Sequence, residues 1–208
     1  MLTPRQIRSN SLLNSRKLGC DVSSTLPLLN AEMTLRQVGS VQDRVLALNA
    51  VVAASYGYQR QKALVWVQDN VGVHALTDRE HAFLASGVGD VTSFQKQVES
   101  LCAFAWALHL LNSLEFEKPC PNTLRTLFPD LKQAEASSSF RQSTSLRTQE
   151  EVLVQCDLAY CLHWCLTESL LQGQVNLRRL EPHVVIERRR ALEWMLNDSG
   201  WDTFTLDT

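Results

Sequence analysis

Apolar residues recur at helical spacing over most of the chain, and this pattern predicts where its helices lie. From residue 41 to residue 56 an apolar side chain returns every three or four positions, as at Val45 and Leu48, which is the period of one helix face. Ser40 precedes this segment and is expected to cap it. The same period runs through residues 92–112, whose second half is apolar on all sides.

Capping residues mark where two further helices begin. Thr77 and Glu80 have the spacing of a capping box, in which each side chain accepts a hydrogen bond from the other residue's backbone amide. Thr148 and Glu151 repeat this pattern. They predict the start of a long helix over residues 149–172, which is apolar on nearly all sides and is therefore expected to be buried.

Three other segments show a weaker pattern. Residues 4–18 predict a helix whose apolar face is so thin that we place it on the surface. Residues 60–69 fit a short helix, although their LVWV segment also fits a strand. Residues 113–147 contain three prolines and the polar segment SSSFRQSTS. We expect a loop-rich insertion there, with a short helix after Asn122 and a mobile stretch over residues 136–145.

The last predicted helix carries an arginine on its apolar face. Pro182 favours the first turn of a helix, and apolar residues from Val184 to Leu196 form one arc. Arg188 lies in the middle of that arc. Because a guanidinium keeps its charge, its burial requires an acidic or carbonyl partner. The tail from residue 201, WDTFTLDT, is too apolar for a solvated end, and we expect it to be ordered and to dock on the domain.

These elements predict an all-α fold, a single compact helical domain of about seven or eight helices. A chain of 208 residues is long enough to bury roughly 70% of its extended surface. Along the chain the domain consists of an N-terminal helix and connection (1–36), a first helical half (37–112), the loop-rich insertion (113–147) and a C-terminal helical half with its tail (148–208).

The charge balance argues against two classes of partner. A net charge of -2 and a pI near 6.2 give no general attraction to nucleic acid or to an anionic membrane. The longest apolar run, Leu101–Leu111, is far shorter than the roughly 20 residues that span a bilayer. The first residues also lack the apolar core of a secretory signal. We therefore expect a cytoplasmic protein with no nucleic-acid and no membrane partner.

The six cysteines predict neither disulfides nor a metal centre. No pair has the CxxC spacing, and Cys156 lies on a different helix face from Cys161 and Cys165. A zinc site on those two would need further ligands, such as Cys20 or Cys120. We expect free, buried thiols, with no metal and no cofactor.

Charged and aromatic residues collect near the carboxyl end and form the candidate site. We hypothesise that Asp157 meets Arg188 or Arg190 across two packed helices. Trp194 or Trp201 would then cover the pair. The candidate binding residues are Asp157, Trp164, Glu187, Arg188, Arg190, Trp194, Trp201, Asp202 and Asp207.

Two interpretations of this cluster are open. Carboxylates beside guanidinium groups and indole rings can bind a small anion or perform acid–base chemistry. The same residues can form an ion-pair network that pins the last helices and the tail, which we favour because such networks are common in proteins. His163 lies in an apolar arc, and we interpret it as a satisfied core residue and not as a catalytic base.

Three ordered blocks of the chain resemble a known family, the domain-of-unknown-function family numbered 4272, which is found largely in bacteria. The blocks are Arg147 with Glu151, the segments DLAYCLHW (157–164) and ERRRALEW (187–194), and the tail residues Trp201, Asp202, Asp207 and Thr208. The resemblance is strongest over residues 147–208. This chain has Cys161 where the family favours arginine, which removes a charge from the stripe that carries Asp157. The resemblance implies an all-helical cytosolic domain and no established activity.

No catalytic motif accompanies these residues. The chain has no GxSxG, HExxH or GxxxxGK sequence, so we assign no catalytic residue. The leading hypothesis is a non-enzymatic protein that binds another protein, as an effector-neutralising immunity protein or an adaptor, with the insertion at 113–147 as partner surface. The alternative is an enzyme or small-ligand-binding protein that uses the Asp/Glu/Arg cluster. A solvent-reached pocket lined by that cluster would favour it.

Overall fold

The computed structural model describes residues 2–30, 33–173, 180–203 and 205–206. Within these ranges the chain forms nine α-helices and three short 3-10 helices and contains no strand, so the predicted all-α fold is confirmed. The α-helices are α1 (Pro4–Lys17), α2 (Val38–Ser55), α3 (Arg60–Asn70), α4 (Asp78–Ser86), α5 (Val91–Lys96), α6 (Val98–Ala107), α7 (Ser137–Ser143), α8 (Gln149–Leu171) and α9 (Pro182–Met195). In these ranges none of the helices combines the length and the apolar composition that crossing a bilayer requires.

The helix starts show which capping signals the backbone uses. The predicted capping boxes of α4 and α8 both form, because each threonine accepts a hydrogen bond from the amide three residues on and each glutamate bonds back to the cap amide. The cap predicted at Ser40 is wrong. Helix α2 begins at Val38, after Gln37 and without a side-chain cap, so Ser40 lies in its first turn.

The helix predicted over residues 92–112 is two shorter helices. Helices α5 and α6 meet at Gln97, and α6 ends at Ala107. His109, two residues later, has a positive φ of 61°, a left-handed conformation that an α-helix does not continue through.

The insertion is more structured than its composition predicts. Residues 124–127 and 131–133 form 3-10 helices, the first of which matches the short helix expected after Asn122. The stretch expected to be mobile contains α7, which buries Phe140 with its ring centroid 6.1 Å from that of Phe128. The buried ring, hydrogen bonds between Ser137 and Asn70 and the ion pair of Arg141 with Asp43 attach this otherwise polar segment to unit 2.

The chain divides into two compact units, each organised around one long helix. Unit 1 comprises Met1–Arg36, Ser113–Pro119 and Arg147–Thr208, and unit 2 comprises Gln37–Asn112 and Cys120–Leu146. In unit 1, α8 packs against α1 and α9. In unit 2, α2 packs against α3, α4, α5, α6 and α7.

The two central helices are buried in different ways. Helix α2 buries apolar residues on several faces together with Arg44, whose Nη2 lies 2.7 Å from Glu80 Oε1 of α4. Helix α1 packs against α8. The buried face of α1 is mostly polar and consists of Ile7, Arg8, Ser11 and Ser15. Helix α1 lies on the surface, as its thin apolar face predicted, but its inner face packs against α8, since small serine side chains allow two helices to approach closely without a wide apolar stripe.

Candidate functional site

Asp157, the centre of the predicted cluster, is buried in unit 1 and pairs with Arg8 of α1. Arg8 Nη2 lies 2.7 Å from Asp157 Oδ1, Nε lies 3.1 Å from Oδ2, and the side chains are 6% and 2% exposed. The same guanidinium donates to the carbonyls of Leu26 (2.6 Å) and Pro27 (2.8 Å). Burial by itself lowers the pKa of Arg8, but the hydrogen bonds and charge of Asp157 outweigh it and raise the pKa. The ring beside the pair is that of Tyr160, 5.6 Å from Arg8 Cζ, in place of the predicted tryptophan.

The predicted pairing of Asp157 with Arg188 or Arg190 is therefore wrong. Arg188 is buried and donates from Nη2 to the carbonyl of Lys118 at 2.9 Å, which confirms that it needs a carbonyl or acidic partner. Arg190 Nε lies 3.6 Å from Glu187 Oε2 on the same helix. The physical reason is that the Asp157 carboxylate faces α1. The thin apolar face of α1 gave no indication that Arg8 would be buried.

Arg189, which the sequence analysis did not select, links α9 to α8. It is buried, with Nε 2.6 Å from Glu193 Oε1, Nη1 2.7 Å from His163 Nδ1 and Cζ 4.7 Å from the Tyr160 ring centroid. Since arginine has no acceptor, His163 accepts this hydrogen bond through an unprotonated Nδ1. Burial, and then the charge of Arg189, lowers the pKa of His163 to about 4. His163 is thus neutral at physiological pH and serves as a structural acceptor.

The tail docks through a pair of tryptophans. Trp194 and Trp201 meet edge to face with ring centroids 5.9 Å apart, and Trp201 is buried. The docking predicted for the tail is confirmed at Trp201, whereas Asp202, Thr203 and Thr205 are exposed. Residues 204, 207 and 208 lie outside the described residues. Arg36 Cζ lies 4.1 Å from the Trp194 ring centroid, and the guanidinium donates to the carbonyls of Trp194 and Ser199, at 2.7 Å in both cases. Burial lowers the pKa of Arg36. The indole rings therefore hold the end of α9, the segment after it and the residues before α2.

The remaining predicted site residues differ in how much of their surface is exposed to solvent. Glu187 is buried, Trp164 is half-buried on α8 and Asp202 is exposed. Asp207 lies outside the described residues. Among the described residues, the carboxyl-terminal set thus contains both buried charges and an exposed tail residue.

The buried thiols near α8 do not form a metal centre. Cys20, Cys161 and Cys165 are buried and free. A hydrogen bond with Cys165, together with burial, raises the pKa of Cys20, and burial raises the pKa of Cys161 to about 12. Across the described ranges, no three His, Cys, Asp or Glu side chains are placed to hold a metal ion.

A second candidate site is a solvent-open groove of about 1140 Å³ in unit 2. It lies between the end of α2, the first turns of α3 and α6, and residues 124–135 of the insertion. Tyr56, with 63% of its surface exposed, borders it. The apolar residues that line it are Val52, Ala53, Val98, Leu101, Leu124, Phe128, Pro129 and Leu131.

One wall of the groove is fixed by hydrogen bonds to the neighbouring helices. This wall, residues 130–135, receives a hydrogen bond from Tyr58 Oη to the Leu131 carbonyl at 2.7 Å. Trp66 Nε1 donates to the Glu135 carbonyl at 2.9 Å. Both donors belong to or precede α3, so these hydrogen bonds tie the wall to that helix.

The charged side chains of the groove are used unequally. Asp130 Oδ1 accepts the amide of Lys132 at 2.8 Å, and Glu135 Oε2 accepts the amide of Asp130 at 2.9 Å. Lys62, Arg125 and Lys132 are exposed, and their side chains make no hydrogen bond or ion pair in the described structure. The carboxylates are therefore occupied by backbone amides while the three cations are free.

The sequence predicted the insertion side of the groove but not the side formed by α2 and α6. The insertion was predicted as a partner surface, but the α2 and α6 residues of the groove have the spacing of a helix core face. An apolar face at helical spacing does not show whether another helix or solvent lies against it. The spacing of Leu124, Phe128 and Leu131 within the insertion was the available signal.

Comparison with known proteins shows one similarity. A family described as Domain of unknown function (DUF4272) has a sequence model that matches residues 5–204. No curated protein and no solved structure matches the chain. Since the match covers nearly all of the 208 residues, the chain belongs to the DUF4272 family.

Proposed function

We propose that this protein is a non-enzymatic, cytoplasmic binding protein that holds a segment of another protein in the groove of unit 2, as an effector-neutralising immunity protein or an adaptor would. The observation that carries the proposal is the groove itself. Its volume of about 1140 Å³ lies just above the roughly 300–1,000 Å³ of most small-molecule pockets, and it is partly open to solvent. A site of this size can hold several residues of a polypeptide segment.

The composition of the groove supports the same partner class. Most of its apolar lining residues are buried in unit 2, and Tyr56 is the large apolar side chain that stands exposed at its edge. Protein interfaces take most of their binding energy from a few well-packed aromatic and apolar contacts surrounded by polar groups. The groove offers both, and the insertion contributes one wall, in keeping with the partner surface expected there.

The alternative, an enzyme or small-ligand-binding protein built on the Asp/Glu/Arg cluster, has less support. A general acid or base must reach its substrate within hydrogen-bond distance. Asp157 is 2% exposed and bonded to Arg8, and Arg188 is also buried. A reaction at this cluster would first require unit 1 to open.

The test is affinity capture from a lysate of the host cell with the wild-type protein and two variants. Ala53→Trp places an indole in the groove, and Ala82→Trp makes the same change at a half-buried alanine of α4 outside it. We expect the wild type and the Ala82 variant to capture the same partner, and the Ala53 variant to lose it. Quantitative mass spectrometry measures the capture, and circular dichroism confirms that all three proteins are folded.

The proposal is contradicted by a partner that the Ala53 variant captures as well as the wild type does, because the groove would then not be its site. The alternative would be established if the purified protein catalysed multiple turnovers of a metabolite and an Asp157→Asn variant that keeps its fold did not.

A further inference from the structure

The charges of the groove restrict the chemistry of its partner. Five charged residues border the groove at positions 62, 125, 130, 132 and 135. Asp130 and Glu135 each accept a backbone amide of the wall, which orients their carboxylates but leaves their negative charge. Lys62, Arg125 and Lys132 make no ion pair with these carboxylates or with any other described residue. The groove therefore carries three unpaired cations against two carboxylates, a local excess of positive charge.

We infer, on the basis of the proposed binding function, that the segment held in the groove is acidic. An apolar or aromatic side chain of the partner packs on the lining, and Asp or Glu side chains beside it face Lys62, Arg125 and Lys132. Charge complementarity of this kind steers association and fixes the register of a bound segment more than it adds affinity. The apolar lining supplies the affinity, and the cations supply the selectivity.

A nucleic acid fits this arrangement less well than an acidic polypeptide does. A phosphate backbone carries a charge on every nucleotide, so some phosphates would pass the carboxylates of Asp130 and Glu135, which line the same groove. The net charge of -2 adds a weak repulsion. A polypeptide can instead place carboxylates only where the cations lie and neutral residues elsewhere.

The first experiment selects binders without assuming their charge. A random peptide library displayed on phage is panned against the immobilised full-length protein. We expect the enriched peptides to contain a leucine, phenylalanine or tyrosine with aspartate or glutamate on either side. Enrichment of basic or uncharged peptides would overturn the inference.

The second experiment measures where and how the selected peptide binds. Fluorescence anisotropy compares the wild type with a triple variant, Lys62→Glu, Arg125→Glu and Lys132→Glu. A matched control reverses three exposed cations of α1 and so changes the net charge equally. The control substitutions are Arg5→Glu, Arg16→Glu and Lys17→Glu.

The three exposed contacts are each worth a few-fold in affinity, so we expect the groove variant to bind the peptide about tenfold more weakly. The control variant should bind within about twofold of the wild type, because its charges lie outside the site and are screened by salt. Equal loss in both variants would show a response to net charge alone and would overturn the inference.

The remaining outcomes separate this inference from the function on which it rests. Uncharged peptides that lose binding in the Ala53→Trp variant would leave the groove as a binding site and refute its preference for acidic segments. Peptides that bind the Ala53→Trp variant unchanged would refute both. A labelled single-stranded RNA that displaces the peptide from the wild type and binds the groove variant poorly would replace the acidic polypeptide with a nucleic acid.

Discussion

Three buried arginines in this protein attach connecting segments to helices. A guanidinium has five N–H donors in a fixed plane and no acceptor, so a single carboxylate cannot satisfy it. Arg8, Arg44 and Arg188 are all buried, and each donates to at least one backbone carbonyl of a segment outside the α-helices. The carbonyls belong to Leu26 and Pro27 for Arg8, Ala75 for Arg44 and Lys118 for Arg188.

Removing one charge of the Arg8–Asp157 pair should destabilise the protein more than replacing both residues with apolar ones. Asp157→Asn removes the counterion of a buried guanidinium, and we expect a loss of about 3–5 kcal/mol in the free energy of unfolding. The double variant Arg8→Met, Asp157→Leu should lose less than the Asp157 variant, because no buried charge is then left without a partner. Urea unfolding followed by tryptophan fluorescence measures both.

The control for this cycle is the exposed pair of Arg16 and Asp21, whose nearest charged atoms are 3.9 Å apart. The same pair of substitutions there, Arg16→Met with Asp21→Leu, should leave the unfolding midpoint nearly unchanged, because exposed ion pairs contribute little. A double variant that loses as much stability as Asp157→Asn, or more, would show that the unpaired guanidinium is not the cause of the loss.

At the scale of an element, α1 packs one face against α8, and this face has few of the usual signs of a helix contact. Its buried residues Ile7, Ser11 and Ser15 follow each other at four-residue intervals, which is the spacing of one face. Hydrophobic periodicity counts only apolar side chains, so it could not identify a contact face made largely of serines. Small residues at regular helical spacing are the signal that would have found the contact.

Ser15 tests how tight that face is. Its side chain is 0% exposed and its hydroxyl has no hydrogen-bond partner in the described structure. We expect Ser15→Ala to stabilise the protein by up to about 1 kcal/mol, because alanine leaves no unsatisfied hydroxyl and has a higher helix propensity. Ser15→Leu should destabilise it by about 1–3 kcal/mol through overpacking.

Thermal unfolding of the two Ser15 variants beside Ser9→Leu makes the comparison. Ser9 lies on the exposed side of the same helix, so leucine there should change the melting temperature little. If leucine at Ser15 is tolerated as well as at Ser9, the face is loosely packed and small residues are not required there.

The elements that the sequence predicts well are those whose cause lies within a few residues. The capping box of α8 depends on Thr148 and Glu151, three positions apart, and it forms as predicted. The partner of Asp157 lies 149 positions away, and nothing near Asp157 distinguishes Arg8 from the arginines of α9. Apolar periodicity also ran on through Gln97, where the backbone begins a new helix, because side-chain spacing does not record a local change in φ and ψ.

At the scale of the whole molecule, the free charges and the buried charges have separate roles. The buried pairs Arg8–Asp157 and Arg44–Glu80 lie one in each unit, and three exposed cations of the groove make no ion pair with any described residue. Reversing Lys62, Arg125 and Lys132 should therefore leave the melting temperature close to that of the wild type while it weakens peptide binding. A large fall in melting temperature, measured by circular dichroism, would show that these cations stabilise the fold.

The stability of the protein should also depend on pH through His163. Its pKa in the folded protein is about 4, against an ordinary value of 6.5. Between these values the unfolded chain binds a proton that the folded chain does not, so stability is complete above pH 6.5 and falls as the pH drops toward 4. The shift corresponds to a loss on the order of 3 kcal/mol.

A second loss should follow at lower pH, and it separates the two groups. Hydrogen bonds from Thr148, and then Arg147, lower the pKa of Glu151 from 4.5 to about 2, so its contribution is present above pH 4.5 and disappears as the pH falls toward 2. This loss is smaller because the carboxylate is 41% exposed and screened by water.

His163→Gln keeps an acceptor for Arg189 but does not titrate, so its urea midpoint should stay nearly level from pH 6.5 to 4.5 while that of the wild type falls. Glu151→Gln should retain the wild-type fall in that range and lose only the later one. If His163→Gln follows the wild type throughout, the proton is taken up elsewhere, and the buried acceptor role of His163 is wrong.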